Sequence, residues 1–200
     1  GIGFALTAVL AAVMLRQQRP AQLVAVALAL ACGYFLYAQI KGDLTDTRRL
    51  MRNFYGTLYT VDSTDDDLHD QVRQLYHGSI KHGEQHRSAE RRREPTAYYG
   101  RSAGIGLAIA NTNPHNKKVG MIGVGAGTLA VYGQPGDTYR MYEINPQVFE
   151  LARSEFSFIA DSRATIETVL GDARLALERE TAQGFDVLAV DAFSGDSVPV

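Results

Sequence analysis

The sequence predicts an α/β protein: a doubly wound parallel sheet, preceded by a small β-domain and by N-terminal transmembrane helices. Three observations predict it. Two uncharged segments lie before residue 41, an aromatic-rich alternating stretch follows them, and strand and helix patterns then alternate from about residue 100 to the end. The expected boundaries are 1–41 for the membrane helices, 42–97 for the β-domain with its charged loop, and 98–200 for the α/β domain.

The first element is "IGFALTAVLAAVML", residues 2–15, without a charge. After "RQQRP" comes "AQLVAVALALACGYFLYAQI", residues 21–40, also uncharged. Twenty residues at about 1.5 Å each cover roughly 30 Å, the hydrocarbon thickness of a bilayer. The second segment therefore reads as a transmembrane helix, and the first, short for a span, as the tail of one. Two such segments in tandem without a small-residue cleavage site argue against a signal peptide. Arg16 and Arg19 lie on one side of the second segment, and Lys41, Arg48, Arg49 and Arg52 on the other. The larger basic count puts the C-terminal part in the cytoplasm. The expected location is thus the cell (inner) membrane, multi-pass, with the lipid bilayer as a partner.

The bulk numbers narrow the rest. Twenty basic and 22 acidic side chains nearly balance, so nothing global points to nucleic acid. A single cysteine, Cys32, excludes a disulfide scaffold and a cysteine-based zinc cluster. The mean hydropathy of −0.13 averages two unlike halves. The chain opens on Gly1 inside an apolar segment and stops at "DAFSGDSVPV", just after a buried strand. It is expected to be a fragment of a longer polypeptide, with the C-terminal part of the fold missing.

From residue 43 the composition changes. "RRLMRNFYGTLYTVDS" alternates, with Gly56 inside it, and reads as a strand or hairpin; "TDDDLHD" is a polar turn and "QVRQLYHGSIKHG" a second strand pair. "EQHRSAERRREPT" reads as a charged exposed loop, either a solvated surface or a mobile lid. Then "AGIGLAIANT" reads as helix, "KVGMIGV" as buried strand, "TLAVYG" as the start of a helix and "TYRMYEI" as strand. "PQVFELARSEF" has helical apolar spacing, "ATIETVLGD" is a strand, "ARLALERETA" a helix and "FDVLAVDAF" a strand. Strand and helix alternating over short connections is the signature of a doubly wound sheet.

The functional signal lies at the strand ends. "GVGAGT" follows a strand and opens a helix, with Gly123, Gly125 and Gly127 allowing a tight turn and close approach of backbone to a ligand. Glu143, twenty positions after Gly123, ends the next strand, where a carboxylate accepts hydrogen bonds from ribose hydroxyls. The G-x-G-x-G spacing differs from the dinucleotide fingerprint, whose third glycine would fall at Thr128, and no Gly-Lys-Ser/Thr follows to make a P-loop. Asp172 in "LGDA" is placed to accept from an adenine amino group. Asp191 ends the fourth strand at the same rim. Each aspartate alone is also a good helix cap; three acids on one rim are harder to attribute to capping.

From about residue 50 to the end these residues resemble the spermidine synthase (polyamine aminopropyltransferase) family, a branch of the class I S-adenosylmethionine-dependent methyltransferase fold, which is Rossmann-like. The resemblance is carried by "RNFYG", "LYHGSIKHGEQ", "PTAYYG", "IGVGAGT", "YEIN", "LGDA" and "FDVLAVDAF". With the apolar segments in front, the arrangement is similar to bacterial proteins that fuse a membrane region to a spermidine-synthase-like domain. The resemblance implies decarboxylated S-adenosylmethionine as co-substrate, held by the glycine loop, by Glu143 at the ribose and by Asp172 at the adenine. It implies Asp191 as the catalytic aspartate that helps deprotonate or orient the attacking amine, and Tyr98 as a residue of the amine pocket. Asp196 lies close to a second acidic position of the family. From their position near a glycine-rich turn, His82 and Gln85 are expected to line the nucleoside entrance.

The chain departs from the family at three positions. Ala126 stands where the loop usually carries a polyamine-binding aspartate, Lys81 where a glutamine stands near the reactive end of the nucleoside, and Gly100 where an acid follows the tyrosine. A cationic amine meeting a cationic sulfonium needs carboxylates around it, so the nucleoside half of the site is intact and the amine half altered. The expected activity is aminopropyl transfer to a polyamine such as putrescine. The alternatives are an S-adenosylmethionine-dependent methyltransferase, or a non-catalytic nucleoside- or polyamine-binding domain of a membrane transporter or sensor. A small-molecule polyamine and a second copy of the chain in a homodimer are the other expected partners. No metal is expected, because His77, His82 and His86 lie close in sequence without an acidic ligand pattern.

Overall fold

The computed structural model describes residues 2–14, 19–45, 47–65 and 69–192. The chain divides into two compact units, Gly1–Thr47 and Arg48–Val200. The first holds two helices in mutual contact, α1 (Ile2–Met14) and α2 (Arg19–Thr45). Pro20 falls in the first turn of α2, where its missing N–H costs nothing. Apolar side chains such as Leu23, Leu30, Tyr34 and Phe35 are exposed along α2. Its stretch Gln22–Lys41 is long and apolar enough to cross a membrane. Among the described residues it is the one helix that meets that criterion. The 13 residues of α1 rise only about 20 Å, less than the hydrocarbon core of a bilayer.

The second unit carries two four-stranded sheets. The first has the order β1-β2-β3-β4, from β1 (Thr47–Asn53), β2 (Gly56–Asp65), β3 (Asp70–His77) and β4 (Ile80–His86). β3 runs antiparallel to both β2 and β4. Gly78 and Ser79 make the two-residue turn between β3 and β4, and Gly78 takes φ +58°, a value that favours glycine there. Leu75 pairs with Gly83 but Tyr76 with Lys81, so His82 is the extra residue of a β-bulge.

The predicted charged loop begins later than its composition suggests. Glu84, Gln85 and His86 belong to β4, and Gln85 and His86 are buried. Nor is the rest a free lid. Arg92 pairs with Asp161 at 2.9 Å, Arg93 donates to the Asp161 carbonyl, and the Thr96 hydroxyl donates to the Glu84 carbonyl. Arg92 and Arg93 stay exposed while making these contacts, as a solvated surface does.

The second sheet is parallel, with the order β7-β6-β5-β8: β5 (Lys118–Ile122), β6 (Thr138–Glu143), β7 (Thr165–Leu170) and β8 (Val187–Val190). α3 (Gly104–Ala110) precedes it, α4 (Pro146–Ser154) follows β6 and α5 (Ala173–Arg179) follows β7. The helix expected at "TLAVYG" is a short 3-10 turn, Thr128–Tyr132; Gly133 and the Pro135–Gly136 pair stop it before a full α-turn can propagate. Val119, Met121, Tyr139, Met141, Leu129 and Leu151 form the buried core. Asn145 caps α4 by accepting from the Gln147 amide at 3.1 Å, and Pro146 opens the helix.

Ion pairs and amides tie the two sheets together. Buried Arg73 on β3 bonds Asp62 at 2.7 and 2.9 Å and Glu155, just beyond α4, at 3.1 Å. Arg48 reaches the same Glu155 at 2.7 Å, and Asn53 donates to Asn145 at 2.7 Å. The antiparallel sheet is therefore fixed against the strand ends of the parallel one.

Candidate functional site

The register of the parallel sheet sets the site. Ile122 pairs with Tyr142 and with Val190, and Glu143 with Leu170. Gly123, Glu143, Asp172 and Asp191, each at or just past the end of its strand, therefore share one rim. The first strand lies between the second and the fourth, so the order reverses between β5 and β8. That is the switch point where open α/β sheets bind ligands, and Gly123 and Asp191 flank it.

Glycine is required in the loop for reasons visible in space. Gly123 has φ +84°, and a Cβ there would collide with the Asp191 carbonyl. Gly125 has φ +52°, and a Cβ would lie 2.5 Å from the His82 carbonyl oxygen. Gly127, at φ +81°, faces Ile159 instead and stands outside the cavity wall; it serves the packing of the loop. Ala126 is buried with its methyl against Gly83, so β4 lies directly on the glycine loop.

Between the two sheets lies a cavity of about 700 Å³, within the range of small-molecule sites. Gly123, Gly125, Glu143, Asp172 and Asp191 line one side. Leu58, Leu75, His77 and His82 of the antiparallel sheet, with Tyr55 from its β1–β2 turn, line the other. Glu143 is held by backbone: Oε2 accepts from the Val124 amide at 3.0 Å and Oε1 from the Asn145 amide at 2.9 Å. Each oxygen keeps a second lone pair for a ligand. Burial raises the Glu143 pKa above the ordinary carboxylate value, and the Asn145 and Val124 amides pull it back down. Asp172 caps α5 through the Leu175 amide at 3.0 Å and also faces the cavity. The capping and ligand readings thus coexist at this residue.

Asp191 is oriented by two phenols. Tyr98 donates to Oδ2 at 2.9 Å, and Tyr99 donates to the same oxygen. Burial, and then the Asp191 charge, push both phenol pKa values up, so both stay protonated donors. Oδ1 is left to receive a ligand N–H. Tyr99 has no mark of its own in the sequence beyond the doubled tyrosine of "YYG".

The remaining predicted residues fall elsewhere. Gln85 is fully buried and ties β4 to the parallel half, donating to the Arg92 carbonyl and Ser157 hydroxyl and accepting from the Ser157 amide. Lys81 pairs with Glu84 at 2.7 Å and does not line the cavity. Asp196 lies outside the described residues. Two unpartnered buried atoms belong to cavity residues: His82 Nε2 and Asn145 Nδ2. Among the described residues no group of three or more His, Cys, Asp or Glu side chains is placed to hold a metal.

No family model matches the chain, and no curated protein matches it. Among solved structures it is similar to the crystal structure of a probable spermidine synthase from Corynebacterium glutamicum, with a TM-score of 0.54 and 20% identity. The match covers 76% of this chain and 53% of that one, so the chain spans about half the length of that neighbour. At that identity the likeness establishes the fold: a mixed α/β, Rossmann-like arrangement of a parallel sheet with an antiparallel one.

Proposed function

We propose that this chain is a membrane-anchored, spermidine-synthase-like transferase that moves an aminopropyl group from decarboxylated S-adenosylmethionine to a polyamine such as putrescine. The observation that carries the reading is the single rim on which the glycine loop, Glu143, Asp172 and Asp191 all face one cavity. Glu143 is the ribose acceptor and Asp172 the adenine acceptor. Asp191 Oδ1 binds the amine beside the methylene that the sulfonium activates, while the phenols of Tyr98 and Tyr99 hold Oδ2. The carboxylates offset the two positive charges that must meet. The apolar stretch Gln22–Lys41 supports a membrane anchor.

One observation favours a second reading. Ala126 is buried against Gly83 and offers no carboxylate to the cavity, which suits a methyltransferase using S-adenosylmethionine and an acceptor other than a diamine. Against it, Lys81 bonds Glu84 and stands away from the wall, so the extra carboxylate of that co-substrate lacks the partner its charge would offer. The test is Asp191→Asn, assayed with decarboxylated S-adenosylmethionine and putrescine. Nucleoside binding should survive and transfer should disappear. Wild-type protein that binds the nucleoside without transferring anything would leave a binding domain of a transporter or sensor.

A further inference from the structure

The cavity holds a second hydrogen-bonding group beside Glu143 that the reading above does not use. His77 ends β3 and lines the cavity. Its Nε2 lies 2.6 Å from the Tyr55 carbonyl oxygen. A carbonyl only accepts, so Nε2 carries a proton and donates it. In the neutral ring Nδ1 is then an acceptor with a lone pair. Nδ1 is not enclosed, and it has no partner among the described residues.

The turn between β1 and β2 is shaped to hold that ring. Gly56 has φ +122°, and a Cβ there would lie 2.6 Å from His77 Nε2, so glycine lets the turn close on the imidazole. The same turn leads back to Glu143 through three more hydrogen bonds. The Tyr55 amide donates to Asn53 Oδ1 at 2.9 Å, Asn53 Nδ2 donates to Asn145 Oδ1 at 2.7 Å, and the Asn145 amide donates to Glu143 Oε1 at 2.9 Å. His77 and Glu143 are thus the two ends of one short bracket. Tyr55 and Asn145, within it, line the cavity with them. Burial raises the Glu143 pKa, and a charge on His77 is among the influences that lower it, so the ring stands within electrostatic reach of the carboxylate.

What the bracket leaves open is all acceptor: a lone pair on each Glu143 oxygen and the lone pair of His77 Nδ1. Neighbouring acceptors suit a ligand that offers two donors side by side, as a vicinal diol does. We propose that His77 is a ribose-binding residue, its Nδ1 accepting from one hydroxyl of the diol whose other hydroxyl Glu143 holds. This rests on the nucleoside site of the reading above and makes the sugar a determinant of selectivity, because a deoxynucleoside leaves one acceptor unpaired.

The test is calorimetric titration of the whole chain in detergent with 5′-methylthioadenosine, the neutral thioether that the proposed transfer leaves, and with its 2′-deoxy and 3′-deoxy analogues. A hydrogen bond to a neutral group is worth roughly 2- to 10-fold in affinity, and one to a charged group roughly 10- to 100-fold. Wild type should therefore bind the ribose form tighter than either analogue, with one penalty small and the other large. In His77→Phe the small penalty should vanish and the large one remain. Loss of the Tyr55 contact alone would weaken all three ligands alike and keep both penalties. A second measurement needs no variant: the Nδ1 resonance of His77 in isotope-labelled wild type should move with the ribose form and stay in place with the analogue that carries the small penalty. Both penalties intact in His77→Phe, or an unmoved resonance, overturns the role of His77 and leaves the nucleoside site standing. Wild type that binds the three ligands equally overturns ribose recognition by His77 and Glu143 together, and wild type that binds none overturns the nucleoside site itself.

Discussion

Replacing Gly125 by alanine tests whether the antiparallel sheet is seated on the glycine loop. The new Cβ would lie 2.5 Å from the His82 carbonyl oxygen, where a carbon–oxygen contact is comfortable near roughly 3.3 Å. Either the loop or β4 must therefore yield by about 0.8 Å. The φ of +52° adds strain of its own, about 1–2 kcal/mol for a residue with a Cβ. Overpacking adds about 1–3 kcal/mol, giving about 2–5 kcal/mol in all. For the unit Arg48–Val200, each kcal/mol lowers Tm by roughly 2–4 °C, so the melt should fall by roughly 4–20 °C. The assay is a thermal melt of the whole chain in detergent, with Gly104→Ala as the control, because nothing lies within 4 Å of a Cβ there. Bound nucleoside should also weaken, since the contact that moves is part of the cavity wall. A Gly125→Ala melt that coincides with the Gly104→Ala melt would refute the contact between β4 and the loop.

Three further outcomes follow from the same geometry. Arg73→Met leaves buried Glu155 with only Arg48 and Arg49, and should lower stability by about 2–4 kcal/mol; an unchanged urea midpoint would contradict the tie between the sheets. Tyr99→Phe removes one of two donors to Asp191, and should lower kcat roughly 10- to 100-fold from the about 1.5–3 kcal/mol of a hydrogen bond to a charge. The KM for the nucleoside and the melting temperature should stay in place; a change confined to Tm would mean a packing role. Hydrogen bonds from Arg140 hold the Glu180 pKa below the ordinary carboxylate value. Its contribution is therefore present above the ordinary carboxylate pKa and is lost as pH falls through the depressed folded value. Glu180→Gln should flatten the acid-side loss of stability, and an identical slope of unfolding free energy against pH would contradict the pairing.

The strand ends were legible because a period of two and a turn residue mark them locally. Gly123, Glu143, Asp172 and Asp191 needed only the alternation of elements to be placed on one rim. What was not legible depends on partners far along the chain. Gln85 reads as a polar loop residue until Ser157, 72 positions away, is set beside it. The basic run of the loop reads as surface and is exposed, but its contacts with Asp161, 69 positions from Arg92, have no local mark. His82 carries no signal as a bulge residue, because a bulge is a property of the pairing with β3 and not of the strand itself. Gly127 reads as the third glycine that brings backbone close to a ligand, yet its neighbour is Ile159.

The most direct measurement is calorimetric titration of the whole chain in detergent with decarboxylated S-adenosylmethionine and, separately, S-adenosylmethionine. Binding of both at one site, tighter for the decarboxylated form and weakened by Glu143→Gln, is the result expected of an aminopropyl-donor site. Tighter binding of S-adenosylmethionine would contradict aminopropyl transfer and favour methyl transfer. Heat from neither would contradict the nucleoside site on the rim of the parallel sheet.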